Sequence, residues 1–317
     1  MRRALIISLL ALSLFACKGR HSNTPVGDAN KTATTATQKG RQQSLQFIPA
    51  LAPAILSNEQ KAEYIREHYW DKFDFADTSF INQIDSTKML TAFAVYTAGY
   101  IPDSLAYKYM PRLMQRASTS KRMYTYFLML AEGVLHDPNS PLRNDEKYIP
   151  ILEGAVQSNW LDEYERMPYE YDLEMARQNR IGRIANDFTY TLASGRSATL
   201  HNIKADYTLI FISNPGCPMC REVKEQITTS PMLQELIERK ELKVLVIYPD
   251  TDLEAWREHL QDYPASWING YDADQRIEKE RLYDLKAIPA LYLLDKQKRV
   301  MAKDCTDVAY IEKLLSE

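Results

Sequence analysis

Cysteine is scarce in this chain. There are four in 317 residues, too few to staple a fold together with disulfides. Histidine is nearly as scarce, with five scattered residues. An excess of basic charge is missing: 39 Lys and Arg stand against 42 Asp and Glu, a formal net charge of −3. No basic field or arm is left to hold nucleic acid, which is excluded as a partner. Long apolar runs are absent beyond the first sixteen residues, so no second membrane anchor is expected. What is present is an ordinary globular balance, 45% hydrophobic and 26% charged. That is enough for a sizeable core and, at this length, about two domains.

The first residues read as an export signal (1–17) rather than a structural element. Met1-Arg2-Arg3 is a short basic start, and Ala4 to Ala16 is apolar but too short to span a bilayer as a helix. The stretch ends in Leu14-Phe15-Ala16-Cys17. A small residue ahead of a cysteine at this point resembles a bacterial lipobox, which implies that Cys17 becomes the lipidated mature N-terminus. An ordinary secretory signal cut nearby is the other reading. Both export the protein, so the expected place is the cell envelope, lipid-anchored to a membrane. Lys18 and the lack of acidic residues beside Cys17 favour the periplasmic side. Lys18 to about Gln46 is rich in Thr, Ser, Gln, Asn, Ala and Lys. It has too little apolar surface to offset its chain entropy, and 18–56 is expected to be a disordered tether.

An all-helical domain is expected over 57–178. Ser57-Asn58-Glu59-Gln60 fits a capping box. Met89, Leu90, Phe93, Ala94 and Thr97 recur at helical spacing, as do Tyr124, Phe127, Leu128, Leu130 and Ala131 ahead of the stop at His136-Asp137-Pro138. Pro102 marks a helix start and Pro111 a kink or break. The character changes near Gly182, and 179–317 is expected to be α/β. Asp187 to Leu192 and Ser197 to Leu200 flank a Gly-containing turn, as in a hairpin. Tyr207 to Ile212 and Lys243 to Tyr248 are short apolar runs, as buried strands should be. Helical residues Arg221 to Thr228 and Met232 to Arg239 lie between them, making a parallel crossover. Ala290 to Asp295 and Arg299 to Lys303 predict two further strands, and Val308, Ile311, Leu314 and Leu315 a last amphipathic helix.

Cys217 and Cys220, in Gly216-Cys217-Pro218-Met219-Cys220, fall directly after a buried strand and open a helix. Cys217 is placed as N-cap, with Pro218 at the first helical position, where its missing N–H costs nothing. Cys220 lies three residues on, on the same face, so the sulfurs can meet. The positive helix end favours a thiolate at Cys217 while Cys220 is shielded. Thiol–disulfide exchange needs that asymmetry of attacking and resolving thiols. A zinc half-site is the competing reading. It needs two more ligands, and only Cys305 and the scattered histidines remain, so no metal or other cofactor is expected. Cys305, just before the last helix, reads as a small buried thiol.

Ala287-Ile288-Pro289-Ala290 stands just before a predicted strand, where a trans edge proline is the plain reading. Taken with the strand, Cys-x-x-Cys, helix and further strand, the chain over 179–317 resembles a thioredoxin-like fold. The opening Asn179-Arg180-Ile181-Gly182 through Ala185-Asn186-Asp187-Phe188, and the long stretch between Cys220 and Pro289, make it most similar to envelope thiol–disulfide oxidoreductases of the TlpA/ResA type. The resemblance implies that Cys217 is the nucleophile, Cys220 the resolving thiol and Pro289 a cis-proline against the sulfurs. Ile288 would offer backbone groups to a substrate segment. Protein thiols and disulfides are the implied partners, with an envelope electron donor. Two departures stand out. Pro218-Met219 brings no histidine to stabilise the thiolate, and Phe211 occupies the place of the buried acid of thioredoxins. A proton acceptor for Cys220 must come from elsewhere, a glutamate for instance, or be absent. The lean is therefore to a reductant or isomerase. Asn214, where a peroxiredoxin has threonine, disfavours that class.

His68-Tyr69-Trp70-Asp71-Lys72-Phe73-Asp74-Phe75-Ala76-Asp77-Thr78 and Asp137-Pro138-Asn139-Ser140-Pro141 resemble an uncharacterised domain that precedes thioredoxin-like domains in Bacteroidetes-type lipoproteins. The resemblance implies no activity. Asp74 and Asp77 read as helix caps rather than metal ligands. A second functional reading therefore stays open: a non-catalytic scaffold lipoprotein whose helical domain holds a partner.

Overall fold

The computed structural model describes residues 47, 49–82 and 86–317. The export signal, Cys17 and the tether over 18–46 lie outside the described residues. Among the described residues, six α-helices come first: α1 (Asn58–His68), α2 (Ser86–Gly99), α3 (Ala106–Ala117), α4 (Lys121–Leu135), α5 (Asp145–Val156) and α6 (Glu163–Arg177). Their starts follow from side-chain caps. The Ser57 hydroxyl accepts from the Gln60 N–H at 3.3 Å while Gln60 Oε1 accepts from the Ser57 N–H at 2.9 Å. Asp162 and Glu165 form the same reciprocal box at α6.

Two sequence expectations are corrected here. Pro111 does not break α3, which runs through it. An interior proline costs about 3 kcal/mol. It is outweighed by a buried stripe of Tyr109, Met110, Leu113 and Met114, each worth about 1.5–3 kcal/mol on burial. The packed chain also begins before Ser57. Phe47 stacks on Trp70 at 4.9 Å and meets Phe73 edge-on at 5.6 Å. It thereby joins an aromatic cluster with Phe75 and Phe127. One aromatic residue in a polar stretch supplies too little periodicity to be read.

The second half is one seven-stranded mixed sheet. Its elements are β1 (Thr189–Leu192), β2 (Ser197–Thr199), β3 (Tyr207–Ile212), α7 (Pro218–Thr229), α8 (Pro231–Glu238), β4 (Leu242–Tyr248), α9 (Leu253–Glu258), β5 (Ile268–Tyr271), α10 (Arg276–Lys279), β6 (Ala290–Leu294), β7 (Val300–Cys305) and α11 (Val308–Ser316). The strand order is β2-β1-β5-β4-β3-β6-β7. β3 runs parallel to β4, from Tyr207 opposite Leu242 to Ile212 opposite Ile247. It runs antiparallel to β6, with Phe211 opposite Leu291. Alternation along β3 splits the core. Leu209 and Phe211 pack against α7, α8 and α11, whereas Ile210 and Ile212 pack toward Tyr190 and Tyr283.

β5 is absent from the sequence reading. Ile268-Asn269-Gly270-Tyr271 has no apolar run, yet it bridges β4 and β1. Gly270 permits this: a Cβ there would sit 2.8 Å from the Tyr190 ring.

The helices and the sheet share one compact unit, Ser44–Glu317, joined by charged groups. Lys303 on β7 reaches Asp145 at 2.6 Å and caps the end of α6 through the carbonyls of Ala176 (3.0 Å) and Met175 (3.2 Å). Arg143 pairs with Asp304 and lies 3.9 Å from Asp284. Lys286 meets His136 at 3.2 Å and Asp172 at 3.8 Å. The helical layer therefore holds both the edge strand β7 and the loop that leads to Pro289.

Candidate active site

Gly216 turns the chain after β3 with φ of +72°, a conformation that favours glycine. Cys217 follows as the N-cap of α7 with Pro218 at the first helical position. The Cys217 Sγ accepts from the Cys220 N–H at 3.2 Å, so a helix-end donor aims at this sulfur. On the other side the Cys217 thiol lies 4.0 Å from the Ile288 carbonyl oxygen, toward which it donates. The Ile288–Pro289 peptide is cis, as the resemblance implies. Cys217, Cys220, Ile288 and Pro289 are therefore neighbours, although some seventy residues separate the two pairs.

The two sulfurs differ in environment. Cys217 is partly exposed and Cys220 is buried, and both are free thiols. Burial, and then the neighbouring Cys217, push the Cys220 thiol up to about 11. The Asn214 backbone and the Ser213 hydroxyl pull the other way by hydrogen bonding to the ionised sulfur. No carboxylate is among the largest influences on Cys220. Phe211 fills the expected acid position, fully buried. The glutamate considered from sequence is not there; a hydroxyl pair is. Ser213 Oγ and Tyr263 Oη lie 2.8 Å apart. Sequence reasoning missed Tyr263, which stands fifty residues from Ser213 and in no motif.

A cleft of about 140 Å³ opens beside the pair, lined by both cysteines, Asn214, Lys224, His259 and Tyr263 among others. A larger cleft of about 720 Å³ lies among Glu132, Tyr169, Asp172 and Lys286. No cysteine lines it, so the thiol chemistry belongs to the smaller one. Cys305 ends β7 opposite Leu291 and donates to the Leu291 carbonyl at 3.8 Å. Burial pushes its thiol up to about 12, so at neutral pH it is no nucleophile. Asp74 and Asp77 accept from the N–H groups of Ala76 (2.9 Å) and Ser79 (2.8 Å) in local turns. No group of three or more potential metal ligands occurs among the described residues.

A partly exposed cysteine capping a helix, a buried partner one turn on and a cis-proline beside them define a class: a thioredoxin-like α/β domain, here set behind an all-helical segment. Residues 205–300 match a thioredoxin-like family model. Residues 19–179 match the family described as a domain of unknown function, DUF5106. The crystal structure of a thioredoxin-like protein from Bacteroides caccae is 42% identical, with a TM-score of 0.80 over 86% of this chain and 99% of that one. The C-terminal domain of an uncharacterized protein from Bacteroides fragilis is 48% identical over 44% of this chain and 99% of that one, with a TM-score of 0.43. The thioredoxin domain of a thiol-disulfide oxidoreductase from Bacteroides vulgatus is 20% identical over 42% and 96%, with a TM-score of 0.36. No curated protein matches the chain. The chain belongs to the DUF5106 family and carries a thioredoxin-like domain behind that segment.

Proposed function

We propose that the chain is a thiol–disulfide oxidoreductase of the cell envelope that exchanges disulfides with protein substrates through Cys217 and Cys220. One observation carries this: a partly exposed sulfur at a helix N-terminus, 3.2 Å from the N–H of a buried second cysteine. The Cys217 thiolate attacks a substrate disulfide, forming a mixed disulfide and releasing one substrate thiolate. Cys220 then attacks Cys217, releasing the second. Two protein thiols become one disulfide as one substrate disulfide becomes two thiols. Ile288, beside the pair, offers backbone groups to an extended substrate segment, and Pro289 sets the floor under it.

The direction is reductant or isomerase. A strong oxidant depends on a highly stabilised thiolate, and Pro218-Met219 adds no histidine for that. An envelope electron donor returns the pair to thiols. The anchor is a lipid on Cys17, with the domain facing the periplasm. Palmitate labelling of cells is expected to mark the chain and to be lost in Cys17→Ser; equal labelling of both contradicts the anchor.

The exchange itself is tested with two variants. Cys220→Ser is expected to accumulate a mixed disulfide with its substrate, and Cys217→Ser to abolish turnover. Turnover that persists in Cys217→Ser contradicts the proposal. A parent chain with no turnover at all leaves the scaffold reading in its place, with the larger cleft between the helical layer and the loop before Pro289 as its working surface.

A further inference from the structure

Cys220 must lose a proton before it can attack, yet its surroundings keep it neutral. Burial disfavours the thiolate, and the strand position beneath it holds Phe211. The exit for that proton is visible in two hydroxyls. Ser213 follows β3, is 2% exposed, and is pinned by its N–H to the Ile247 carbonyl at 3.0 Å. Its Oγ is 2.8 Å from Tyr263 Oη. The Tyr263 ring is held against Phe211 (6.4 Å between centroids) and Trp267 (6.2 Å). Tyr263 also lines the small cleft together with both cysteines. The Ser213 hydroxyl also hydrogen-bonds to the ionised Cys220 sulfur, so the pair runs from that sulfur to a residue that lines the cleft.

We propose that Ser213 and Tyr263 are the proton relay of the resolving step, carrying the Cys220 proton to water in the cleft. This rests on the exchange chemistry proposed above. From the mixed disulfide, the Cys220 proton passes to the Ser213 oxygen as the Ser213 proton passes to Tyr263 and the Tyr263 proton to water. The freed sulfur pair forms the bond to Cys217 while the bond from Cys217 to the substrate sulfur breaks, and the substrate leaves as thiolate. Each hydroxyl ends with one proton, as it began. Burial holds the Tyr263 hydroxyl above its ordinary value, so it passes a proton on rather than losing one.

Charged and titratable groups face Tyr263 from three sides. Lys224 Nζ lies 5.7 Å from the ring centroid. His259 Nδ1 is 2.6 Å from Asp262 Oδ2, and both residues line the same cleft. Arg221 and the two thiols line the cleft as well. A pH profile is therefore compared between parent and variant rather than interpreted alone.

The test uses the chain from Lys18 onward, reduced, with dithiobis(nitrobenzoate) as the disulfide. One chromophore is released when Cys217 attacks and a second when Cys220 resolves. Tyr263→Phe keeps the ring and removes the relay oxygen. Its first release is expected to match the parent, and its second to slow by about a hundredfold or more at pH 7, in the range of a lost proton-transfer group. The deficit is expected to shrink as pH rises and hydroxide takes the proton directly. Ser213→Ala cuts the same route from the buried end and is expected to behave alike. A second release at parental rate in both variants, or equal slowing of both releases at every pH, overturns the relay. A parent chain that shows no second release overturns the exchange chemistry instead.

Discussion

Gly216 and Cys217 show how much of the site is written in adjacent residues. The N-cap role of Cys217 depends only on a strand ending before it and a proline following it, so both were legible in the sequence. Gly216 adds a backbone requirement, φ of +72°, with nothing within 4 Å of a Cβ built there. Gly216→Ala therefore meets no clash and feels only the left-handed strain, about 1–2 kcal/mol. Denaturant unfolding of the reduced protein is expected to show that loss, with Gly216→Asn losing less because asparagine tolerates this region. Equal stability of the alanine variant contradicts the backbone assignment. Ser213 and Tyr263 lie at the opposite extreme. Their 2.8 Å contact is made by the parallel pairing of β3 with β4 and the turn after α9. Neither residue type at that spacing forms a pattern.

Elements were legible in proportion to how local their causes are. α1 and α6 start at capping boxes, and α8 restarts at Ser230-Pro231, where the Ser230 hydroxyl accepts from the Leu233 N–H at 3.1 Å. β3 and β4 are buried on both faces and read as apolar runs. β5 has the opposite character. Its four residues are ordered by two neighbours already in place, and its Gly270 is selected by the Tyr190 ring rather than by strand propensity. Pro111 misleads for a related reason: a local breaker is overridden by the stripe of α3 that the other helices bury.

At the scale of the whole molecule, the junction between helices and sheet was not legible at all. Arg143 and Asp304 stand 161 residues apart, and Lys286 reaches His136 across 150. Charges at such separations are unreadable until both halves are folded. The Arg143–Asp304 pair is largely buried while Lys286 is exposed; a buried pair adds little net stability, since desolvation offsets its attraction, and its best-attested use is to fix one arrangement. Here the two contacts fix the loop that ends in Ile288 and Pro289 against the helical layer. The DUF5106 segment thereby becomes a support for the thiol site. The central claim, that this site exchanges disulfides, is tested most directly by a redox titration. The chain from Lys18 onward retains the whole compact unit and is equilibrated with glutathione or dithiothreitol buffers while the state of Cys217 and Cys220 is read. A reversible two-electron transition between about −180 and −270 mV is expected, the range of isomerases and thioredoxins. Absence of any reversible transition, or a disulfide far more stable than about −300 mV, would contradict the account and make the pair structural.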